Sequence, residues 1–345
     1  MMRRIPMQDL IDFGQRLLIA KGVAPADARY LAEIAVEAEA FGVTTHGLVQ
    51  LGSLAGQIGK SIDPASEPKV VRDVGASALI DGEGVIGQLA VRLGKRLAAE
   101  KARQYGIAMI AVRRTSWIAA LGVYLISLAR DGFAAQIWAQ SSQCQDSAPV
   151  GGIDARLSTN PIALAFPTDG DPVVADFSTS AISMGAVSRM TKAGRRAEHP
   201  IFMDNQGQLS DDPGVVRPDG SILLMGGEQS GHKGYALSLW CEAMTALAGG
   251  VCNNPDQPQA QSFSLTVIDP DAFAGREYLA REMKRFVGWL LSSRPRPGAS
   301  EIRLPGQRGF RLLHQAREEG VPVDDAALEQ LNRLAADNGV DAVTV

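Results

Sequence analysis

Cysteine and histidine are scarce in this 345-residue chain, which contains three cysteines and four histidines. Because the cysteines are odd in number and lack the spacing of a metal site, we expect reduced thiols, no bound metal and a cytoplasmic location. Basic residues are not in excess, since the net charge is −4, so the electrostatic surface of a nucleic-acid-binding protein is missing. No apolar run is long enough to cross a bilayer, and no membrane partner is expected.

Helix and strand patterns alternate along the chain, whose composition of 46% hydrophobic and 21% charged residues is typical of a globular protein. Apolar spacing predicts three helices over residues 6–60, with breaks at Gly22 and Gly42. A strand over 107–112, a helix over 119–130 and a strand over 133–138 then follow in succession, as in layered α/β proteins. Further helices are predicted over 88–103, 183–193, 231–249, 280–291 and 324–338, and strands over 70–74, 78–80, 162–166, 173–177 and 263–268. The fold class is therefore α/β.

His46 lies at the junction between two of these helices, in the stretch Thr44-Thr45-His46-Gly47. Gly42 ends the first helix, and Thr44 or Thr45 is a plausible cap for the next. An imidazole in this corner is well suited to proton transfer, since it titrates near neutral pH and a neighbouring hydroxyl can tune it. The alternative is a histidine that only caps or packs at a helix start.

The stretch Gly82-Glu83-Gly84-Val85-Ile86-Gly87 matches the glycine pattern of a Rossmann dinucleotide site. The strand before it is short, however, and the candidate ribose-binding acid, Glu100, falls inside the following helix rather than at the end of the next strand. The sequence therefore favours a site that is not of the Rossmann type.

Five segments resemble, in order and spacing, the malate/L-lactate dehydrogenase family, which is unrelated to the Rossmann lactate and malate dehydrogenases. They are Thr45-His46-Gly47, residues 157–163 (LSTNPIA), residues 176–180 (DFSTS), residues 231–237 (GHKGYAL) and residues 304–308 (LPGQR). Details at 119–121 and in the Gly-His-Lys-Gly stretch are similar to the Δ1-piperideine-2-carboxylate/Δ1-pyrroline-2-carboxylate reductases of that family.

The resemblance implies an L-sulfolactate dehydrogenase-like α/β fold with a non-Rossmann nicotinamide-binding domain, in a homodimer. Residues 1–68 would form a helical domain that carries the catalytic histidine, joined by C-terminal helices from about 300–345. Residues 69–115 and 221–300 would form a central substrate and dimerisation domain, and residues 116–220 the cofactor domain.

The resemblance also implies the roles of individual residues. His46 would exchange the proton of the substrate, Thr45 would hydrogen-bond its ring, and Gln50 and Thr159 would contact a small carboxylate or imino acid substrate. The cofactor, NADP or NAD, would be bound by Trp117, Ile118, Ala119, Ala120, Leu121, Asp176, Phe177, Ser178, His232, Lys233, Arg303, Leu304, Pro305, Gly306, Gln307, Arg308 and Gly309. Basic residues among 113–114 and 189–196 favour NADP, because they can pair with a 2′-phosphate.

Three positions depart from the family pattern: Gln50 replaces an arginine suited to a carboxylate, Trp117 replaces a second histidine, and Ala186 replaces an acid. The expected activity is hydride transfer between nicotinamide and a 2-oxo/2-hydroxy acid or a cyclic imino acid. Specific reduction of the cyclic imines is one alternative, and a ligand-binding homologue with impaired catalysis is the other. Without the resemblance, Trp117 is most simply a core residue, Asp176 a turn cap and Lys233 a solvated lysine.

Overall fold

Three helices form the N-terminal part of the computed structural model, which describes residues 2–256, 260–298 and 301–343. After strand β1 (Met2–Ile5) come α1 (Met7–Ala20), α2 (Pro25–Ala40) and α3 (Val49–Gln57). Gly22 and Gly42 separate the helices with φ values of 89° and 86°, in the left-handed region that glycine adopts without strain. The three helices predicted over 6–60 and both of their breaks are confirmed.

A seven-stranded sheet forms the centre of the molecule. Its strands are β2 (Lys69–Val74), β3 (Ser77–Asp81), β4 (Ile107–Thr115), β5 (Ala134–Ser141), β6 (Pro161–Phe166), β7 (Val173–Ser178) and β11 (Gln261–Ile268). They lie in the order β2-β3-β4-β11-β5-β6-β7, and β3–β4 is the sheet's one parallel pair in the described structure. A doubly wound Rossmann domain needs a mainly parallel sheet, so the non-Rossmann expectation is confirmed.

Helices cover both faces of this sheet. On one face α4 (Gly87–Tyr105) and α5 (Leu121–Arg130) pack between the strands and α2, in one continuous apolar core. Ile137 and Ala139 of β5 belong to that core, so Trp138 between them faces the opposite side, where it contacts Trp240 of α7 (Gly227–Leu247). The helix predicted over 119–130 begins at Leu121 instead, because the backbone of Ala119 is left-handed, with φ of 62°.

Shorter elements complete the layer beside the sheet. Helix α6 (Met184–Lys192) packs near the small strands β8 (Phe202–Met203), β9 (Leu209–Ser210) and β10 (Ser221–Ile222) around a second, small apolar cluster. The sequence did not predict β9, since a two-residue strand carries no periodicity. Helix α8 (Arg276–Leu291) extends the predicted helix at its N-terminal end and buries none of its residues within the chain.

The C-terminal elements return to the N-terminal helices. Helices α9 (Gln307–Glu319) and α10 (Asp325–Asp337) pack on α2 and α3, and β12 (Val321–Asp324) pairs antiparallel with β1. Apolar spacing did not predict α9, although the resemblance implied C-terminal helices over about 300–345, and the β1–β12 pair was not predicted at all. No helix among the described residues is both long and apolar enough to span a membrane.

Candidate active site

One edge of the central sheet gathers strand ends that lie far apart in the chain. The antiparallel register places Gln261, at the start of β11, opposite Thr115 on one side and Ser141 on the other. Further along the same edge, Pro161 at the start of β6 faces Ser178 at the end of β7. Polar groups from four strands therefore line the rim towards which the N-terminal helices turn.

His46 ends a single turn of 3-10 helix, Thr44–His46, whose geometry is fixed from several sides. The hydroxyl of Thr45 lies 2.7 Å from Nδ1 of His46. Behind the turn, the amide of Gln50 donates to the carbonyl of Thr45 at 3.0 Å, and Leu48 N–H donates to the carboxylate of Glu39 at 2.9 Å. The imidazole is thus held in one orientation by its neighbours.

A cavity of about 370 Å³, here called the inner chamber, opens between this turn and the sheet edge. Ten of the residues implicated by the sequence line it together: Thr45, His46, Trp117, Ala119, Ala120, Leu121, Thr159, Asp176, Phe177 and Ser178. The rings of His46 and Trp117 have centroids 5.0 Å apart and are tilted by 48°. Trp117 is therefore a wall of the chamber rather than a residue of the apolar core.

The protonation state of His46 is strongly shifted. Burial lowers its pKa to about 4, and the positive charge of Arg189 acts in the same direction. Arg189 belongs to α6 and is held by a 2.8 Å hydrogen bond to the hydroxyl of Thr44. At neutral pH the imidazole is therefore uncharged and able to accept a proton.

Asp176 performs a structural task at the chamber wall. Its carboxylate accepts the N–H of Gly122 at 2.7 Å, in the first turn of α5, where Ala120 offers no capping side chain. Burial raises the pKa of Asp176 to about 6, against the opposing effect of the Gly122 and Leu121 N–H groups. Asp176 thus caps a helix distant in sequence, while part of its side chain remains open to the chamber.

Other implicated residues lie outside the inner chamber. Gln50 borders a cavity of only about 10 Å³ behind His46, and Ile118 is fully buried, with its N–H donating to Gln261 at 2.6 Å. His232 and Lys233 are exposed on α7, whose Gly234 packs against Thr179 and Met225. The segment 303–309 runs beside β7, where Gly306 packs on Val174 and Gly309 on Phe41. Cofactor contacts of these residues remain predictions.

The structure adds chamber residues that the sequence did not identify. They come from the end of β5 and its loop, from the loop before β6, from the start of β11 and from the start of α6, and include Ser141, Cys144, Asp146, Ser158, Gln261, Ser183, Met184 and Gly185. Burial raises the pKa of the Cys144 thiol, which disfavours a thiolate nucleophile there. Ser183 caps α6, and a hydroxyl at the predicted start of that helix was the one available clue.

The glycine stretch 82–87 does not form a phosphate site. The N–H groups of Gly82 and Gly84 donate to the carbonyls of Arg113 and Arg114, and Gly87 N–H donates to the Ser116 hydroxyl. A Cβ on Gly87 would lie 2.3 Å from the carbonyl oxygen of Ser116. The loop is therefore packed against its own chain, and no group of three or more candidate ligands for a metal occurs in the described structure.

Comparisons with known proteins identify the family of this chain. A family model described as malate/L-lactate dehydrogenase matches residues 5–332. The chain is 33% identical to the Δ1-pyrroline-2-carboxylate/Δ1-piperideine-2-carboxylate reductase of Pseudomonas syringae pv. tomato, over 94% of each chain. It superposes on the malate dehydrogenase of Pyrococcus horikoshii with a TM-score of 0.88 at 29% identity, covering 99% of this chain and 97% of the other. It superposes on the sulfolactate dehydrogenase of Methanocaldococcus jannaschii with a TM-score of 0.87 at 25% identity, covering 98% of both chains.

Proposed function

Because the chain belongs to the malate/L-lactate dehydrogenase family and is an oxidoreductase of that dehydrogenase type, we propose that it moves a hydride between nicotinamide and a small 2-oxo/2-hydroxy acid. The observation that carries this proposal is the position of His46. Its ring lines the inner chamber together with Thr159 and the segments 119–121 and 176–178. A proton-transfer group therefore shares one cavity with the segments expected to hold the cofactor.

The groups around the inner chamber suit a nicotinamide ring and its ribose. The side chains of Ala119 and Ala120 and the bare backbone of Gly185 leave room for a flat ring, Phe177 and Trp117 offer aromatic faces, and Ser178 and Thr159 offer hydroxyls. Asp146 and Asp176 also line the cavity; the Asp146 carboxylate is paired with Arg217 at 3.1 Å, and the charge of Asp176 favours a cationic ring over a phosphate. The rest of the cofactor would therefore run outwards, with the segment 303–309 beside β7 as its expected neighbour.

The bound cofactor supplies or receives the hydride, and the residues of the chain do the remaining work. In the direction of alcohol oxidation, neutral His46 takes the hydroxyl proton of the substrate, while Thr45 fixes the ring from its Nδ1 side. In the direction of reduction, His46 first takes up a proton from solvent, because the imidazole is uncharged at neutral pH, and then gives it to the carbonyl oxygen.

The substrate carboxylate needs a cation that Gln50 cannot supply. Gln50 is neutral and borders the small cavity behind His46, and its amide donates a hydrogen bond to the carbonyl of Thr45. Arg189 lies in the last turn of α6 and is not itself part of the chamber lining, but it is close enough to lower the pKa of His46 and is held by Thr44, next to Thr45 of the chamber wall. We assign the role of the missing arginine to Arg189, whose charge would hold the carboxylate next to the reacting carbon.

Reduction of a cyclic imino acid is the second candidate. It is supported by Trp117, whose ring beside His46 could stack on a planar cyclic imine, and by the similarity to the P. syringae reductase. For the cofactor we propose NADP, with NAD as the alternative, because Lys192 and Arg195 present exposed positive charges at the end of α6.

A homodimer is also part of the proposal, in a cytoplasmic protein. Helix α8 buries none of its residues within one chain, although it carries Phe286 and Trp289, and α7 exposes Leu239 and Trp240. Apolar helix faces of this kind are stable in water when another subunit covers them.

Spectrophotometric assays test the proposal directly. NADPH and NADH oxidation should be followed with pyruvate, oxaloacetate, longer 2-oxo acids and the two cyclic imines, and nucleotide binding should be measured separately by fluorescence titration. Turnover of an open-chain 2-oxo acid supports the first candidate, and turnover of the imines alone supports the second. Nucleotide binding with no turnover of any compound would support the catalytically impaired homologue instead.

A further inference from the structure

A second cavity adjoins the inner chamber and is larger, at about 930 Å³. This outer chamber shares Trp117, Ser141, Cys144 and Gln261 with the inner chamber, so the two are neighbours across the tryptophan. A substrate of the size of pyruvate beside His46 would not extend into the outer chamber, whereas a substrate with a longer chain would.

Arg114 is the cation that lines the outer chamber. Two other cations line neither cavity: Lys233 is exposed on α7, and the guanidinium of Arg113 packs against Gly249. Arg114 keeps about half of its side-chain surface exposed, 55%, so its charge is available to a ligand.

The position of Arg114 is enforced by its surroundings. Its backbone lies in the left-handed region, with φ of 55°, which is uncommon for residues other than glycine, asparagine and aspartate. The Gly84 N–H holds its carbonyl at 2.7 Å, and Asp81 accepts from its Nε at 2.9 Å and from its Nη2 at 2.7 Å. Such strain persists where the surroundings over-determine it, and it is enriched at functional sites.

The charged side chains around Arg114 have a net charge of +1. Asp81 is the one carboxylate that pairs with Arg113 or Arg114 in the described parts of the chain, and it pairs with both. Hydrogen bonds from both arginines and from the Glu83 N–H lower the pKa of Asp81 despite its burial, so it is ionised at neutral pH. Glu83, which also lines the outer chamber, is neutralised by Lys69 at 2.9 Å. The sum over these five side chains is +1.

We propose that Arg114 is a specificity-determining residue that binds a second acidic group of the substrate in the outer chamber. The substrate would be a 2-oxo/2-hydroxy acid of five or more carbons with a terminal carboxylate. This deepens the proposed function and rests on it: the reacting carbon lies by His46, and the chain passes Trp117. In a four-carbon diacid a single methylene separates the carbonyl carbon from the distal carboxylate, which is too short to pass an indole ring.

Matched substrates test this directly. Wild type, Arg114→Asn and Arg114→Lys should be assayed with 2-oxoglutarate against 2-oxopentanoate, and with 2-oxoadipate against 2-oxohexanoate, pairs of equal length that differ in the terminal carboxylate. Asparagine tolerates the left-handed backbone, so the first variant removes the charge without adding strain. Arg72→Asn, an exposed arginine of β2 that lines neither chamber, is the control.

We expect Arg114→Asn to lower kcat/KM for the diacids about 10- to 100-fold, mainly through KM, with less than about twofold change for the monoacids. Arg114→Lys should recover part of the loss, and the control should match wild type. A wild-type enzyme that prefers the monoacids, or an equal loss on both members of each pair, would overturn the proposal.

Binding separates this inference from the proposed function. Calorimetric titration of glutarate into the nucleotide-bound protein needs no turnover. Binding that is weakened in Arg114→Asn but not in Arg72→Asn supports the anion site even if every assay is silent, and then only the proposed activity fails. Absence of binding to wild type, together with turnover of monoacids, leaves the activity standing and rejects the role of Arg114.

Discussion

The hydroxyl of Thr45 lies 2.7 Å from Nδ1 of His46, so the residue before the imidazole in the sequence also orients it. This contact makes Nε2 the nitrogen available for the proton of the substrate. Gly185, at the start of α6, packs directly on the same threonine: a Cβ there would lie 2.9 Å from its methyl group. Helix α6 therefore contacts the turn that carries His46 at Thr45.

Removal of this hydroxyl should slow the proton step. Thr45→Val keeps the shape and the contact with Gly185 but leaves Nδ1 without its partner, and we expect a fall in kcat of about 10-fold with little change in KM. Thr45→Ser restores the hydroxyl and should stay within about threefold of wild type. Steady-state kinetics of the three proteins provide the check, and equal kcat values for Val and Ser would refute the orienting role.

The charge of Arg189 should be visible in the pH profile. Hydroxy-acid oxidation needs neutral His46, whose pKa of about 4 sets the acid limb of kcat/KM. Arg189 lowers that pKa, so Arg189→Gln should move the limb to higher pH, by about half a unit for one solvent-screened charge. The same variant should raise KM, since it removes the proposed carboxylate partner. Arg189→Lys keeps the charge and should leave the limb in place; a shift of equal size in both variants would exclude a charge effect.

Glu39 should make stability depend on pH. Burial raises its pKa to about 7, so the folded state holds a proton that the unfolded chain releases near pH 4.5. The contribution of protonated Glu39 to the stability of the folded state is complete below pH 4.5 and is lost as pH rises through 7. Glu39→Gln retains an acceptor for Leu48 N–H without ionising, and it should gain on the order of 1–3 kcal/mol over wild type between pH 4.5 and 8. Urea unfolding at pH 4.5 and at pH 8 measures this gain, with the exposed Glu318→Gln as control. A difference in unfolding free energy between Glu39→Gln and wild type that is the same at both pH values would contradict the prediction.

The apolar faces of α7 and α8 should carry the subunit contact. Trp240 and Trp289 are 51% and 66% exposed in the single chain. Replacement of either by glutamate should halve the mass measured by light scattering, because a buried unpaired charge opposes association. Ile19→Glu, at an apolar residue of α1 that is 41% exposed, should remain dimeric. A wild-type protein of single-chain mass would refute the dimer itself.

Much of this site follows from sequence, because its parts are local. Gly42 and the threonines before His46 mark the helix junction, and the segments 119–121 and 176–178, which the family resemblance singled out, line one cavity with His46. Short apolar runs were enough to identify central strands such as β4, which was predicted over 107–112 and observed over Ile107–Thr115.

The parts that sequence did not predict depend on long-range pairing. Gln261 meets Ser141 only because β11 inserts between β4 and β5, and no local pattern specifies that neighbour. Apolar spacing did not locate α9, because its buried side chains, Phe310, Leu313 and Ala316, are few among polar ones. The role of Asp176 as the cap of α5 likewise joins residues that are distant in the chain.

A single-turnover experiment on His46 is the most direct test of the proposed chemistry. His46→Ala and the exposed control His199→Ala should be loaded with reduced nucleotide and mixed rapidly with the best 2-oxo acid, while the loss of nucleotide absorbance is recorded. Nucleotide affinity is measured in parallel, so that a binding defect is not mistaken for a chemical one.

We predict that His46→Ala slows nucleotide oxidation about 10²- to 10⁴-fold while its nucleotide Kd stays within about twofold of wild type. His199→Ala should react at the wild-type rate. If His46→Ala oxidises the nucleotide as fast as wild type does, His46 is not the proton-transfer group.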